Sequence, residues 1–318
     1  PLQRLMQPRS IAIVGASDDP RAFGGFVQSN LERLGYAGAL HLVSRSSDSI
    51  QGRPCVKTVD ELPEDIDVAV LAIPEAGVAE AVRQLAARRC HAAVLFASGY
   101  AETGDEGRAK QDALLAAAGD MALVGPNCMG YTNFEHGIAL TFEVVEPYPA
   151  RGRPGIGIVA QSGFMAATMR DAFIGRGLPL TGQFSTGNEA SVRVEDVVAH
   201  YLGDAQTRVI AVYAEQIRRP ALFLQLARQA RAAGKPIVLL MPGRSERARH
   251  AAASHTGALA GGHATACVAL AREAVVLVDT LDELFDTTAV LLRYPQPPAG
   301  GVAFVTGSGA MKNIALDF

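Results

Sequence analysis

The sequence has no run approaching the ~18 uninterrupted apolar residues of a membrane-spanning helix, and its opening segment, Pro1 to Arg9, carries no apolar signal core. Neither a bilayer span nor a secretory leader is indicated, and a cytoplasmic protein with no membrane partner is the expectation. Cysteine is scarce. The four present, Cys55, Cys90, Cys128 and Cys267, lie far apart with no C-x-x-C pair, so neither a disulfide framework nor a zinc site is signalled and buried thiols are expected. An excess of one charge is lacking too: 29 Lys and Arg against 32 Asp and Glu give a formal net charge of -3. No strong overall field draws nucleic acid to the molecule, which leaves only local basic pockets open.

What is present is apolar content. With 49% hydrophobic and 19% charged residues, and 32 Gly and 17 Pro dispersed along 318 residues, the chain reads as globular with sizeable cores. That excludes disordered and collagen-like classes. At ~100 to 200 residues per domain, this length suits two domains with some left over.

Ile11–Val14 predicts a strand, Gly15-Ala16-Ser17 a tight loop and Phe26–Leu34 a helix. Strands predicted at Ala39–Val43, Val68–Ile73, Ala92–Phe96 and Ala122–Val124 alternate with helices at Val78–Arg88 and Gly107–Ala118. The run Val68–Ile73 is continuously apolar, as in strands covered on both faces, and the alternation implies an α/β fold with a parallel, doubly wound sheet. Residues 133–154, irregular and holding Pro147, Pro149 and Pro154, are the best linker candidate. A second series then predicts strands Gly157–Ala160, Val209–Ala214, Ile237–Met241 and Ala274–Val278, with helices Gly163–Arg176, Ala221–Ala233, Ala264–Glu273 and Leu281–Leu292. A weak repeat aligns residues 157–165 with 303–311 and sets Asp171 opposite Asp317; both copies read strand, Ser-Gly turn, helix start. The second copy reaches Phe318 partway along its helix, so a truncated third domain is expected from about residue 300.

Three strand-to-helix turns, Gly15-Ala16-Ser17, Gln161-Ser162-Gly163 and Gly307-Ser308-Gly309, put small residues where backbone N–H groups and a helix dipole can meet an anion. Each alone serves equally as a plain cap or turn; three together favour a protein that handles phosphates. The first is not G-x-G-x-x-G, and the second strand ends at Ser44-Arg45 without a ribose-binding carboxylate. Arg45 can meet a phosphate on an adenosine ribose, as in NADP or coenzyme A, or stand as a solvated charge. The stretch from Arg249 to His263 holds His250, His255 and His263 among small residues that offer no core packing. Its histidine spacings fit no zinc pattern, and no metal site is expected; a histidine nucleophile toward phosphorus fits better. Glu215 follows the strand Val209–Ala214, where a carboxylate lies at the ligand edge of a parallel sheet and can fix a histidine tautomer, or else cap a helix.

Gly125-Pro126-Asn127-Cys128-Met129-Gly130, Ala160-Gln161-Ser162-Gly163, Ser185-Thr186-Gly187-Asn188-Glu189-Ala190, Gly243-Arg244-Ser245-Glu246 and above all Ser254-His255-Thr256-Gly257-Ala258-Leu259-Ala260-Gly261 resemble the nucleoside-diphosphate-forming acyl-CoA synthetases. This family includes ADP-forming acetate–CoA ligase and is related to succinyl-CoA synthetase. The resemblance, which covers essentially the whole chain, implies a Rossmann-like CoA-binding domain over 1–145 and a flavodoxin-like domain over 150–294, with residues 300–318 opening a third flavodoxin-like domain. It implies a reversible conversion of acyl-CoA, ADP and phosphate to acid, CoA and ATP through an acyl phosphate and a phosphohistidine. His255 would carry the phosphoryl group, Glu215 would hold and polarise it, and Ser162, Gly163 and Phe164 would bind phosphate. Coenzyme A would meet Gly15, Ser17, Arg21, Gly24, Arg45, Ile73, Pro74, Ser98, Gly99 and Asn127, with Cys128, Met129 and Tyr131 near the acid. ATP or ADP with magnesium would bind a partner ATP-grasp domain or subunit, in a homo- or hetero-oligomer.

Two departures stand out. The family's Pro-x-Lys-x-Gly is here Pro20-Arg21-Ala22-Phe23-Gly24, and its Asn-Pro-Lys is Ser44-Arg45-Ser46, so arginines must take over from both lysines with different reach and geometry. The alternatives are a degenerate CoA- or nucleotide-binding regulatory module and an NADP-dependent oxidoreductase.

Overall fold

The computed structural model describes residues 2–148, 152–245, 247, 263–296, 299–301 and 303–317. After a short helix α1 (Gln3–Met6), the first sheet takes β1 (Ser10–Val14), β2 (Ala39–Val43), the small β3 (Ser49–Ile50) and β4 (Arg53–Val56), β5 (Val68–Leu71), β6 (Ala92–Leu95) and β7 (Ala122–Val124). Its order is β3-β4-β2-β1-β5-β6-β7, parallel apart from the β3–β4 pair. Counted from β4, this is the 3-2-1-4-5-6 arrangement of a dinucleotide-type fold, with the crossover between β1 and β5. Helices α2 (Phe23–Arg33), α3 (Glu75–Ala87) and α4 (Asp105–Ala118) cover it. Because both faces are covered, β5 and β6 are buried at every position, and each Val or Leu so placed contributes about 1.5–3 kcal/mol.

The second sheet has the order β14-β13-β12-β10-β11-β8-β9, built from β8 (Tyr131–Asn133), β9 (Ile138–Leu140), β10 (Gly155–Ala160), β11 (Leu180–Ser185), β12 (Thr207–Tyr213), β13 (Ile237–Leu240) and β14 (Val276–Val278). Its parallel part, β11-β10-β12-β13-β14, is the flavodoxin-like 2-1-3-4-5 order with the crossover between β10 and β12. Helices α5 (Gly163–Gly175), α6 (Val194–Gly203), α7 (Pro220–Ala232), α8 (His263–Arg272) and α9 (Leu281–Arg293) accompany it. The expected α/β class, with a Rossmann-like sheet before a flavodoxin-like one, is what the chain adopts.

The two sheets share one core. Val124, Cys128, Tyr131, Val159 and Phe184 belong to a single buried cluster, in which the Tyr131 and Phe184 rings stack with centroids 5.2 Å apart. The run from Asn188 to Val192 lies along the outer edge of β7, with Val192 N–H donating to Leu123 O at 3.0 Å and Ala190 N–H to Gly125 O at 2.9 Å. An edge strand that would otherwise present unpaired backbone is closed by the other unit.

Four expectations need correction. Residues 133–154 are not irregular throughout: β8 and β9 form a hairpin that extends the second sheet beside β11 in antiparallel register. Second, β11 and α6 escape the periodicity count because Leu-Thr-Gly-Gln-Phe-Ser holds only two apolar residues. All six are nevertheless buried, and the polar ones find partners: Thr181 Oγ1 donates to Ile156 O at 3.2 Å, and Ser185 Oγ accepts from Met129 N–H at 3.2 Å. Third, no strand forms at residues 303–306; that stretch is exposed and without ladder partners among the described residues, although the following helix α10 (Gly309–Leu316) does start on a Ser308 cap. Fourth, only Cys90 and Cys128 are fully buried thiols, pushed up to about 12 by burial, whereas Cys55 and Cys267 are half-buried. No helix among the described residues is long and apolar enough to cross a membrane.

Candidate functional site

Every expected site residue among those described follows the carboxyl end of a parallel strand. In the first sheet these are Gly15 and Ser17 after β1, Arg45 after β2, Ile73 and Pro74 after β5, Ser98 and Gly99 after β6, and Asn127 after β7; Arg21 and Gly24 belong to the loop and first turn that follow Ser17. Gly15 (φ +92°) and Ile73 flank the β1–β5 crossover, where such sheets bind ligands. The packing is tight: a Cβ on Gly15 would lie 2.4 Å from Ala72 O, and one on Gly24 would lie 2.2 Å from Gly15 O. A glycine cradle of this kind lets α2 start close over the strand edge, as a bulky dinucleotide-like ligand requires.

This turn differs from expectation in one respect. The Gly15 and Ala16 N–H groups do not point outward; both donate to Val43 O at 3.1 Å. The Gly99 N–H is likewise engaged, donating to Glu102 Oε1 at 2.6 Å. Charge for an anion in this unit would therefore come from the first-turn amides of α2, which have no intrahelical acceptor, and from side chains. Arg45 is exposed, and exposed Arg21 faces Asp19 with Nε 3.3 Å from Oδ1. Beside them Phe23, 46% exposed, stacks on Phe142 (4.4 Å, 18°), while Phe96 meets both rings edge-on.

In the second sheet the crossover falls between β10 and β12, and the chain places Gln161-Ser162-Gly163 at the end of one and Glu215 at the end of the other. Ser162 caps α5, its Oγ accepting from Met165 N–H at 3.3 Å. The first-turn amides of Gly163 and Phe164 have no intrahelical acceptor and carry the positive end of the helix dipole, and Phe164 is 76% exposed. Tyr213 OH donates to Glu215 Oε1 at 3.4 Å, and burial, then the Glu215 charge, pushes this phenol up to about 12. Glu215 does not cap α7; Arg219 occupies that position. His250 and His255 lie outside the described residues, while His263 opens α8 with Nε2 3.0 Å from Met241 O.

The two carboxyl edges meet. Asn127 Nδ2 donates to Asn188 Oδ1 at 3.3 Å, Asn188 N–H donates to Pro126 O at 3.0 Å, and Asn188 Nδ2 reaches Glu102 and Gln111 across the junction. Met129 packs so closely on Gly163 that a Cβ there would lie 2.3 Å from Met129 Cγ. Glu189, absent from the sequence-based candidates, is a further buried carboxylate here. It accepts from Val194 N–H at 2.8 Å, Thr186 Oγ1 at 3.2 Å and Arg218 Nε at 2.9 Å, and burial raises its pKa from the ordinary value. It stands in the Ser185–Ala190 motif, which carried the family resemblance without assigning this residue a role. A cavity of about 790 Å³ between the units, bordered by His136, His200 and Tyr201, is lined by none of the expected site residues.

An α/β chain whose two carboxyl edges converge, one on a glycine cradle and the other on a capped helix start and a carboxylate, belongs to the doubly wound proteins, which take ligands at such crossovers. The comparisons give that class its family. Residues 9–133 match a CoA-binding domain and residues 153–291 a succinyl-CoA-ligase-like flavodoxin domain. The chain is 44% identical over 319 residues to a trans-feruloyl-CoA synthase from an unknown prokaryotic organism, covering 99% of this chain and 45% of that protein. It is 30% identical over 319 residues to the alpha subunit of an ADP-forming acetate–CoA ligase II of Pyrococcus furiosus, covering 99% and 68%. A solved acetyl-coenzyme A synthetase 1 from Ca. Korarchaeum cryptofilum, in complex with phosphate and ADP, superposes with a TM-score of 0.85 at 28% identity over 94% of this chain and 64% of that one. The chain belongs to the family of NDP-forming acyl-CoA synthetases. It spans about half the length of the trans-feruloyl-CoA synthase that it matches.

Proposed function

We propose that this chain is the CoA- and phosphate-binding part of an ADP-forming acyl-CoA synthetase whose acid is aromatic. Phosphate held at Ser162, Gly163 and Phe164 attacks the thioester carbonyl; a C–O bond forms, the C–S bond breaks, and the thiol of coenzyme A leaves. A nitrogen of His255 then attacks phosphorus, and the acid departs with its carboxylate oxygen. Glu215 stabilises the charge that the imidazole gains, and fixed amides meet the charge spread over the transferring group. Transfer to ADP, with magnesium, belongs to an ATP-grasp partner, fused or separate, and the active assembly is an oligomer.

Coenzyme A is supported by the glycine cradle at Gly15 and Gly24 and by arginines at its rim. The observation that carries the aromatic assignment is the 44% identity to a trans-feruloyl-CoA synthase, set against 28–31% for acetate and 4-hydroxybutyrate ligases. Phe23, exposed over the Phe142–Phe96 pair, offers a flat apolar face suited to an aromatic ring. The test is incubation of the chain with feruloyl-CoA and labelled inorganic phosphate. Acid-labile label is expected on the wild type and absent from His255→Asn; an unlabelled wild type would sink the reading. NADP binding in calorimetry without coenzyme A binding would favour the oxidoreductase instead.

A further inference from the structure

The reaction just proposed gives no task to Gln161, yet this side chain makes three hydrogen bonds at the second sheet's edge. It is 7% exposed and lies between the end of β10 and the Ser162 cap. Its Oε1 accepts from the backbone N–H of Glu215 at 2.6 Å and of Gln216 at 3.0 Å, while its Nε2 donates to the Gln216 carbonyl at 2.6 Å. Its own N–H donates to Tyr213 O, and its carbonyl accepts from Gly187 N–H, each at 3.1 Å. One residue thereby binds the phosphate turn to the peptide units that carry Glu215 and to the loop after β11.

A glutamine amide does this with one planar side chain that is never charged, since the turn offers two donors and one acceptor to the same group. A carboxylate would take both N–H groups but oppose the Gln216 carbonyl. An apolar side chain would leave buried backbone groups without partners. Glu189 adds a contact to the arrangement. It interacts with the Gln161 amide and is held by Arg218 Nε at 2.9 Å.

We infer that Gln161 is the positioning residue that fixes the Glu215 carboxylate relative to the Ser162–Phe164 phosphate turn. The inference rests on the proposed phosphohistidine route. Without the amide, the two halves of the site stay folded but lose their register, and a displacement near 1 Å at a reacting group lowers a rate by roughly a hundred-fold.

The test compares wild type, Gln161→Met (near-equal volume, no amide) and Gln161→Glu (accepts, cannot donate). Each is given feruloyl-CoA and labelled phosphate, and the rate of acid-labile labelling of His255 is measured beside coenzyme A affinity by calorimetry. The expected result is a labelling rate roughly a hundred-fold lower in Gln161→Met and intermediate in Gln161→Glu, with coenzyme A affinity and the KM for feruloyl-CoA unchanged. A merely structural role would lower stability or affinity without this separation of rate from binding. If Gln161→Met does not fold, Gln161→Glu decides. Wild-type labelling rates in the folded variants would overturn the inference alone, whereas an unlabelled wild type would overturn the route and the inference with it.

Discussion

Gly24 is the point at which the first unit's geometry can be tested with one methyl group. It lies in the first turn of α2, and a Cβ there would stand 2.2 Å from the Gly15 carbonyl oxygen, 2.9 Å from its carbon and 3.1 Å from Ala16 Cα. All three atoms are backbone, so no side chain can rotate away. The Gly15 turn cannot recede either: its own hypothetical Cβ is 2.4 Å from Ala72 O, and the Gly15 and Ala16 amides are both tied to Val43 O at 3.1 Å. Reaching an ordinary separation of about 3.5 Å therefore requires α2, with Phe23 beside it, to back away by about 1 Å. Overpacking of this kind costs about 1–3 kcal/mol, against which the better helix propensity of alanine returns less than about 1 kcal/mol. Gly24→Ala should lower the unfolding free energy by about 1–2 kcal/mol in a denaturant titration and weaken coenzyme A by about tenfold, equivalent to 1.4 kcal/mol, in calorimetry. Gly175→Ala is the control: it ends α5 with nothing within 4 Å of its hypothetical Cβ, and should be neutral or stabilising by up to about 1 kcal/mol. A Gly24→Ala protein as stable and as tight-binding as wild type would refute the reasoning.

Glu215→Gln should slow His255 labelling from feruloyl-CoA and phosphate while leaving coenzyme A affinity intact; an unchanged rate would move the orienting carboxylate elsewhere. Phe23→Ala should raise the KM for feruloyl-CoA more than that for acetyl-CoA in the same labelling assay, and equal effects on both would remove the ring from acyl recognition. Arg45→Ala should weaken coenzyme A and flatten the salt dependence of binding more than Arg21→Ala does, because Asp19 already faces Arg21; salt-titrated calorimetry reads both. Acid should destabilise the first unit through Asp67, whose side chain is 1% exposed. Burial raises this carboxyl, but the Arg9 N–H and the Arg4 guanidinium outweigh it, so its native pKa lies below the ordinary value of 3.8. Its contribution is present above that value and is lost as pH falls through the native one; Asp67→Asn should flatten the stability profile below about pH 4 in acid denaturation.

The sheets were legible wherever strands are apolar on both faces. Val68–Leu71, Ala92–Leu95 and Ile237–Leu240 are such runs, each followed by a helix, and covered parallel strands leave that trace. β11 was not legible, because its burial is bought with Thr, Gly, Gln and Ser that find partners only after folding. The hairpin Tyr131–Leu140 was hidden for another reason: its strand β8 pairs with β11 some 50 residues on, and no local pattern announces a pairing at that distance. Site positions were readable to the extent that strand ends were. What remained hidden was which amides are already committed. Val43 O takes the Gly15 and Ala16 N–H groups, Glu102 takes that of Gly99, and nothing in G-A-S or S-G-Y marks this.

The same distinction explains how a chain of net charge -3 can be suited to phosphate. In the first unit the Gly15 and Ala16 amides are spent on the sheet, so on the proposed reading an anion would meet the first-turn amides of α2 together with exposed Arg21 and Arg45, where salt screens the attraction. In the second, the proposed phosphate site falls to the helix-start amides of Gly163 and Phe164. They stand across the crossover from the Glu215 carboxylate, which repels an anion and attracts a cationic imidazole. Phosphate at the proposed site would therefore be held by directed N–H groups against a nearby negative charge, while a histidine gaining charge would be favoured by that same carboxylate. Such a balance depends on distance more than on net charge. It places the discriminating power of the site in whatever fixes the separation of the helix start from the carboxylate, which in this fold is the single amide of Gln161.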